Sequence, residues 1–182
     1  MNYDKHWQRQ STQVVFSNPW LTVNQATIVL PNGTVIDDYF LVSLPDVALV
    51  MPVTPNQEVI MVRQYRHGAD LVLLELPAGS FDPSQETAAT AAQRELREET
   101  GYAASTLEPL GVIYDNPVKC PYQTHLFLAR DVVPVATPTW DATEDIEIVK
   151  RPLREIQGAI AQREIIVSGS IVALHLGLEK LG

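Results

Sequence analysis

Three glutamates, Glu95, Glu98 and Glu99, stand within five positions of the stretch QRELREETGY (93–102). The simplest reading of such a run is a solvated helix face. Spacing argues against it for two of the three. At about 100° per residue, Ala88, Ala92, Glu95 and Glu99 fall in one narrow stripe flanked by Ala91 and Leu96, with Glu86, Thr90, Gln93 and Arg97 on the opposite side. Like charges at i,i+4 repel each other, and ionised carboxylates aimed at a core need a positive partner. Arg94 is spaced to pair with Glu98 at i,i+4, which leaves Glu95 and Glu99 in want of one. A hard divalent cation would serve both, because it takes oxygen ligands and completes its shell with water or substrate phosphates. A structural ion-pair network is the competing reading.

These carboxylates need a helix to carry them and strands to set the helix down. The sequence predicts a helix over 83–100, with Asp82 as N-cap, Pro83 at the first helical position, Gln85 three residues after the cap and Gly101 just beyond the end. Runs rich in Val, Ile, Leu and Met predict buried strands at 47–54, 58–65, 71–77, 124–132 and 145–151. Upstream, residues 20–44 read as two β-rich runs joined at Pro31-Asn32-Gly33, a strong hairpin signal. Further helices are expected after Pro152, over 152–163, and over 168–181, the latter capped by Ser168 or Ser170. Strands outnumber helices without alternating strictly with them, so the fold class is α+β and not a doubly wound sheet. A small N-terminal β subdomain, 1–44, is expected to precede the main domain, 45–182.

Composition narrows the partners. The 182 residues are 46% hydrophobic, enough for one compact domain with a sizeable core and a small appendage. A net charge of -9, with basic residues dispersed, argues against duplex nucleic acid or an anionic membrane as partner. The single cysteine, Cys120, excludes an intrachain disulfide framework and a cysteine-based zinc cluster and suits a reducing compartment, so a cytoplasmic location is expected. No signal-peptide core and no stretch of about 18 apolar residues is present, which predicts a soluble protein. The histidines His6, His67, His125 and His175 show no ligand spacing, and neither a nucleophile elbow nor a P-loop occurs.

The segment GSFDPSQETAATAAQRELREETGY (79–102) resembles the Nudix box, with Gly79, Glu86, Arg94, Glu95, Leu96, Glu98, Glu99 and Gly101 at fixed positions of its pattern. Two departures occur: six residues instead of five separate Gly79 from Glu86, and Tyr102 closes the motif where an aliphatic residue is usual. The resemblance implies a Nudix α/β/α sandwich with a mixed central sheet and an enzyme that hydrolyses nucleoside diphosphates linked to another moiety, requiring Mg²⁺ or Mn²⁺. It maps the metal ligands onto Glu95, Glu98, Glu99 and the backbone carbonyl of Ala78, and gives Glu86 and Arg94 the task of bracing the catalytic helix through salt bridges.

VRQYRHGADLVLLELPAG (62–79) is similar to the ADP-ribose pyrophosphatase branch of that family, with Arg66 and Glu75 matching. The resemblance implies that Arg66 contacts substrate, a task that suits a guanidinium facing phosphate; a surface ion pair with Asp70 or Glu75 is its alternative. Arg63 is a further candidate for substrate. The loop WDATEDIEIV (140–149) resembles the acidic loop that supplies another carboxylate, and Glu144 is the expected general base or additional ligand, with Asp141 and Asp145 as substitutes. The N-terminal hairpin resembles the subdomain through which this branch forms homodimers, and Trp20 is a candidate for stacking on adenine. The activity thus implied is cleavage of a nucleoside diphosphate sugar, with ADP-ribose giving AMP and ribose 5-phosphate. GDP-mannose or another diphosphate derivative, and a sensing module without turnover, are the alternatives.

Overall fold

A computed structural model describes residues 5–141 and 145–182. The chain divides into two compact units, one running to Pro45 and taking in Tyr114–Tyr122, the other comprising Asp46–Ile113 and Gln123–Gly182.

The first unit holds an antiparallel three-stranded sheet, β1 (Gln8–Ser17), β2 (Thr22–Val29) and β3 (Val35–Ser43). Strands β2 and β3 turn at Pro31-Asn32-Gly33 as expected. Gly33 takes φ +85°, and the Leu30 and Thr34 main chains bond across the turn at 2.9 Å. Strand β1 is an addition to the two β-rich runs read from sequence. Trp20 does not begin a strand but lies in the β1–β2 turn, where Asn18 Oδ1 accepts from the amides of Trp20 and Leu21 at 2.8 and 2.9 Å. Segment 114–122 reaches the same unit from far along the chain, the Val42 amide donating to Lys119 O at 2.8 Å and the Tyr39 hydroxyl to Val118 O at 2.7 Å.

In the second unit the elements run β4 (Asp46–Val53), β5 (Glu58–Arg66), β6 (Leu71–Glu75), β7 (Ala78–Phe81), α1 (Ala88–Thr100), β8 (Tyr102–Ala103), β9 (Glu108–Ile113), β10 (Thr124–Arg130), β11 (Val133–Pro134), β12 (Glu147–Pro152), α2 (Ile156–Ala161) and α3 (Ser168–Leu181). The main sheet has the order β12-β5-β4-β10-β9, with β6 added on β5 and β7 on β4. Its β4–β10 pair is parallel and its other pairs are antiparallel, which makes the sheet mixed.

Helices cover both faces, and the strands record this residue by residue. Side chains alternate across a strand. Leu49, Met51 and Val53 of β4, Val59 and Met61 of β5, and Leu126 and Leu128 of β10 pack with Ile156, Ala159, Ala173 and Leu174 from α2 and α3. Ala48, Val50, Ile60, Phe127 and Ala129 point the other way, onto Ala91, Ala92 and Leu96 of α1. Each large side chain buried in these layers contributes about 1.5–3 kcal/mol, so the two layers pin α1 to the sheet.

Two helix starts differ from expectation. Helix α1 begins at Ala88 and not near Pro83, because Thr87 is its N-cap, the Thr87 hydroxyl accepting from the Thr90 amide at 3.1 Å. Asp82 instead closes a turn, accepting from the Ser84 amide at 2.9 Å and from Gln85 Nε2 at 3.1 Å. At the other end Gly101 caps the helix at φ 73°, as predicted. Helix α3 has Val167 at its N-cap with no side-chain cap bond, and Ser170 is buried and accepts from the Leu76 amide at 2.9 Å.

Candidate active site

The two-face split of α1 decides where its charges go. Ala91, Ala92, Glu95, Leu96, Glu99 and Thr100 are its buried residues, so Glu95 and Glu99 do share the core-side stripe. Their residues are only 9% and 4% exposed. Opposite them runs β7, which α1 packs against. The Ala78 amide donates to Glu99 Oε2 at 3.2 Å. The Glu95 carboxylate fills the space beside Gly79: a methyl built there would overlap the carboxyl carbon and Oε1 and stand 2.5 Å from Oε2. Glycine at 79 is therefore required by a close approach.

Arg94 organises the rest. Its guanidinium donates to Glu86 at 2.8 Å, Glu95 at 2.6 Å and Glu98 at 3.1 Å, and to Ser80 O at 3.4 Å. Hydrogen bonding to Glu86 in the first place, then to Glu95 and Glu98, raises its pKa above the ordinary arginine value against the opposing effect of burial. The expected i,i+4 pair with Glu98 is present, but Arg94 does not serve Glu98 alone. It also holds Glu95, correcting the inference that Glu95 lacks a cationic partner. Glu86 precedes α1 instead of lying on its outer face, and braces Arg94 from there.

Ala78, Gly79, Glu86, Arg94, Glu95, Glu98 and Glu99 are thus brought together. Four of their side chains are carboxylates against one guanidinium, an excess of negative charge that a hard cation would offset. Among the described residues no three His, Cys, Asp or Glu side chains are gathered as a ready ligand group, and Arg94 bonds to both Glu95 and Glu98. The donor chemistry nonetheless fits: all-oxygen, with two buried carboxylates one helical turn apart beside a glycine cradle.

Arg66, at the end of β5, makes a bidentate pair with Glu75 of β6, Nε to Oε1 at 2.8 Å and Nη2 to Oε2 at 3.1 Å. The Arg66 side chain remains 44% exposed while Glu75 is 9% exposed, so the buried acid orients a cation that still faces solvent. Glu75 precedes Ala78 by three residues, so one short segment carries both the partner of Arg66 and the strand against Glu99. Arg63 is directed elsewhere, across the β5–β12 pair to Glu147 at 2.6 Å. Trp20 is 77% exposed in the first unit. Glu144 lies outside the described residues.

Sequence reasoning missed Trp140 as a structural contact of the helix. Its indole N–H donates to the main-chain oxygen of Glu99 at 2.9 Å, and the neighbouring Thr139 amide to Glu98 O at 2.9 Å. The segment holding these residues also walls a cavity of about 580 Å³ on the outer flank of α1 with Gln93, Arg97 and Ala104, which reaches Arg94 and Glu98 but neither Glu95 nor Glu99.

Residues 43–167 match the NUDIX domain, and residues 7–42 match the nucleoside diphosphate sugar hydrolase N-terminal domain. A CMP-5'-(N-acetyl-N-hydroxy-3-aminopropyl)phosphonate hydrolase of Streptomyces rubellomurinus is 31% identical over 92% of this chain and 80% of its own. The ADP-ribose pyrophosphatase of Bacillus subtilis is 30% identical over 88% of this chain and 86% of its own. A crystal structure of an ADP compounds hydrolase superposes with a TM-score of 0.83 at 23% identity, covering 96% of this chain and 94% of that one, and so shares the fold. The chain belongs to the Nudix hydrolases and carries the N-terminal domain of the nucleoside diphosphate sugar hydrolases.

Proposed function

We propose that this chain hydrolyses the pyrophosphate bond of ADP-ribose, giving AMP and ribose 5-phosphate. The observation that carries the reading is the pair of buried carboxylates, Glu95 and Glu99, held one helical turn apart against the Ala78–Gly79 backbone. Mg²⁺, or Mn²⁺ in its place, would be held by Glu95, Glu98, Glu99 and the Ala78 carbonyl. When bound, such an ion neutralises pyrophosphate charge and acidifies a water. Arg94, fixed by Glu86, keeps Glu95 and Glu98 in place between turnovers. Arg66, oriented by Glu75, takes a substrate phosphate, and Glu144 acts as general base. The similarity to the Bacillus subtilis ADP-ribose pyrophosphatase supports ADP-ribose as the sugar nucleotide.

The working form is a homodimer assembled through the N-terminal unit, with Trp20 stacking on the base. Exposed Val14, Val15, Phe16, Trp20 and Val35 on that unit support this reading. No helix among the described residues is long and apolar enough to cross a membrane, the net charge of -9 argues against nucleic acid as partner, and the single cysteine, Cys120, supports a cytoplasmic location.

An HPLC screen with and without Mg²⁺ tests the proposal, offering ADP-ribose, GDP-mannose and a CMP-linked compound. Metal-dependent release of AMP from ADP-ribose as the best substrate is expected. Preference for either of the other two would reassign the substrate, and no turnover of any would refute catalysis. Light scattering should give a dimer mass; a fully active monomer would refute the assembly.

A further inference from the structure

The last four carbonyls of an α-helix have no partner within the helix and must find donors elsewhere. At the end of α1 the Arg97 carbonyl takes the Gly101 amide at 2.9 Å, and the carbonyls of Glu98 and Glu99 find donors in a distant strap, residues 135–140. The Thr139 amide donates to Glu98 O and Trp140 Nε1 to Glu99 O, both at 2.9 Å, while the Val135 and Ala136 amides reach Gly101 O at 2.9 and 3.2 Å. Gly101 makes room for the strap, since a side chain there would overlap Ala136 O. Among these bonds Trp140 supplies the one made by a side chain, and it lands on the main chain of Glu99, a residue proposed to hold metal.

We propose that Trp140 is a positioning residue for hydrolysis at this site, an inference that rests on the proposed function. The indole N–H fixes the last turn of α1. That turn carries Glu98 and Glu99, so the bond fixes the origin of both carboxylates, while Arg94 and the Ala78 amide fix their far ends. The donor also covers a carbonyl at the negative end of the helix dipole, lowering the repulsion felt by the glutamates beside it. Trp140 is 42% exposed, so its role rests on this directed bond more than on burial.

Trp140→Phe keeps an aromatic ring and removes the donor. In metal-free protein, amide hydrogen exchange of residues 96–101 should accelerate while the strands of the main sheet exchange as in wild type. The Mn²⁺ dissociation constant, read from the free-ion electron paramagnetic resonance signal, should rise about tenfold, the equivalent of one lost hydrogen bond. Turnover of ADP-ribose should show kcat lowered about tenfold with KM changed less than about twofold. Wild-type Mn²⁺ affinity and kcat in Trp140→Phe would overturn the proposal, as would a rise in KM alone, which would make Trp140 a substrate contact. Wild-type protein that binds Mn²⁺ but hydrolyses no nucleoside diphosphate derivative would refute the proposed function, leaving Trp140 to be judged on the two Mn²⁺ constants. Wild-type protein without Mn²⁺ affinity would overturn both.

Discussion

Replacing Gly79 with alanine puts a methyl group where the Glu95 carboxylate now lies. The methyl would overlap Oε1 and the carboxyl carbon and stand 2.5 Å from Oε2, so the carboxylate must retreat by about 1.5 Å to regain van der Waals contact. It has little freedom to do so, being buried and tied to Arg94 at 2.6 Å. Overpacking of this kind costs about 1–3 kcal/mol. The backbone at 79 lies outside the left-handed region, so alanine recovers about 0.4–1 kcal/mol by restricting the unfolded chain. The net loss is then about 1–2 kcal/mol, readable in urea denaturation, and most molecules stay folded in buffer. Activity should suffer far more, because a displacement of about 1 Å at a reacting centre costs about 100-fold. Gly158→Ala, where an added methyl meets nothing within 4 Å, is the control and should keep wild-type kcat. Wild-type kcat in Gly79→Ala would show that Glu95 does not occupy this cradle in the working enzyme.

Arg94→Lys supplies a point charge that cannot span Glu86, Glu95 and Glu98 together; a stability loss of about 1–3 kcal/mol and a kcat lowered about 10–100-fold are expected, and a variant matching wild type in both would refute the bracing role. Arg66→Lys gives up the bidentate pair with Glu75, and steady-state kinetics should show KM for ADP-ribose raised about tenfold with a smaller change in kcat. Hydrogen bonding from Lys180 above all, with Arg130 assisting, lowers the pKa of Glu108 from its ordinary 4.5. A carboxylate with a depressed folded pKa stabilises fully above its unfolded value and loses that contribution as pH falls through the folded one. The stability difference between wild type and Glu108→Gln should therefore be largest above pH 4.5 and shrink below it; a difference that grows on acidification would contradict the sign.

The strands most legible in the sequence are the central ones, buried on both faces. β4, β5 and β10 read as near-continuous apolar runs because alternate residues meet α1 on one side and α2 and α3 on the other. Strand β1 was illegible for the opposite reason: QRQSTQVVFS is exposed at every position, so no burial pattern marks it. In β9, EPLGVI, a proline and a glycine mask the strand. The start of α1 was expected at Asp82, but Asp82 is occupied with Ser84 and Gln85, and the local hydrogen bond that caps the helix is made by Thr87, five residues on. The stripe of Glu95 and Glu99 needed only the helical period, and the Arg66–Glu75 pair was foreseen as one of two alternatives. Trp140 was not foreseen as a partner of the helix, since its bond to Glu99 spans 41 positions and follows from how the strap docks, which no local pattern encodes.

The most direct test is Glu99→Gln. This substitution keeps size and a hydrogen-bonding oxygen for the Ala78 amide while removing the buried charge. Wild-type protein with Mg²⁺ should convert ADP-ribose to AMP and ribose 5-phosphate, and the folded Glu99→Gln variant should do so at least about 1,000-fold more slowly, roughly 4 kcal/mol of lost transition-state stabilisation. A folded Glu99→Gln protein with wild-type turnover would contradict the placement of catalysis at this carboxylate pair.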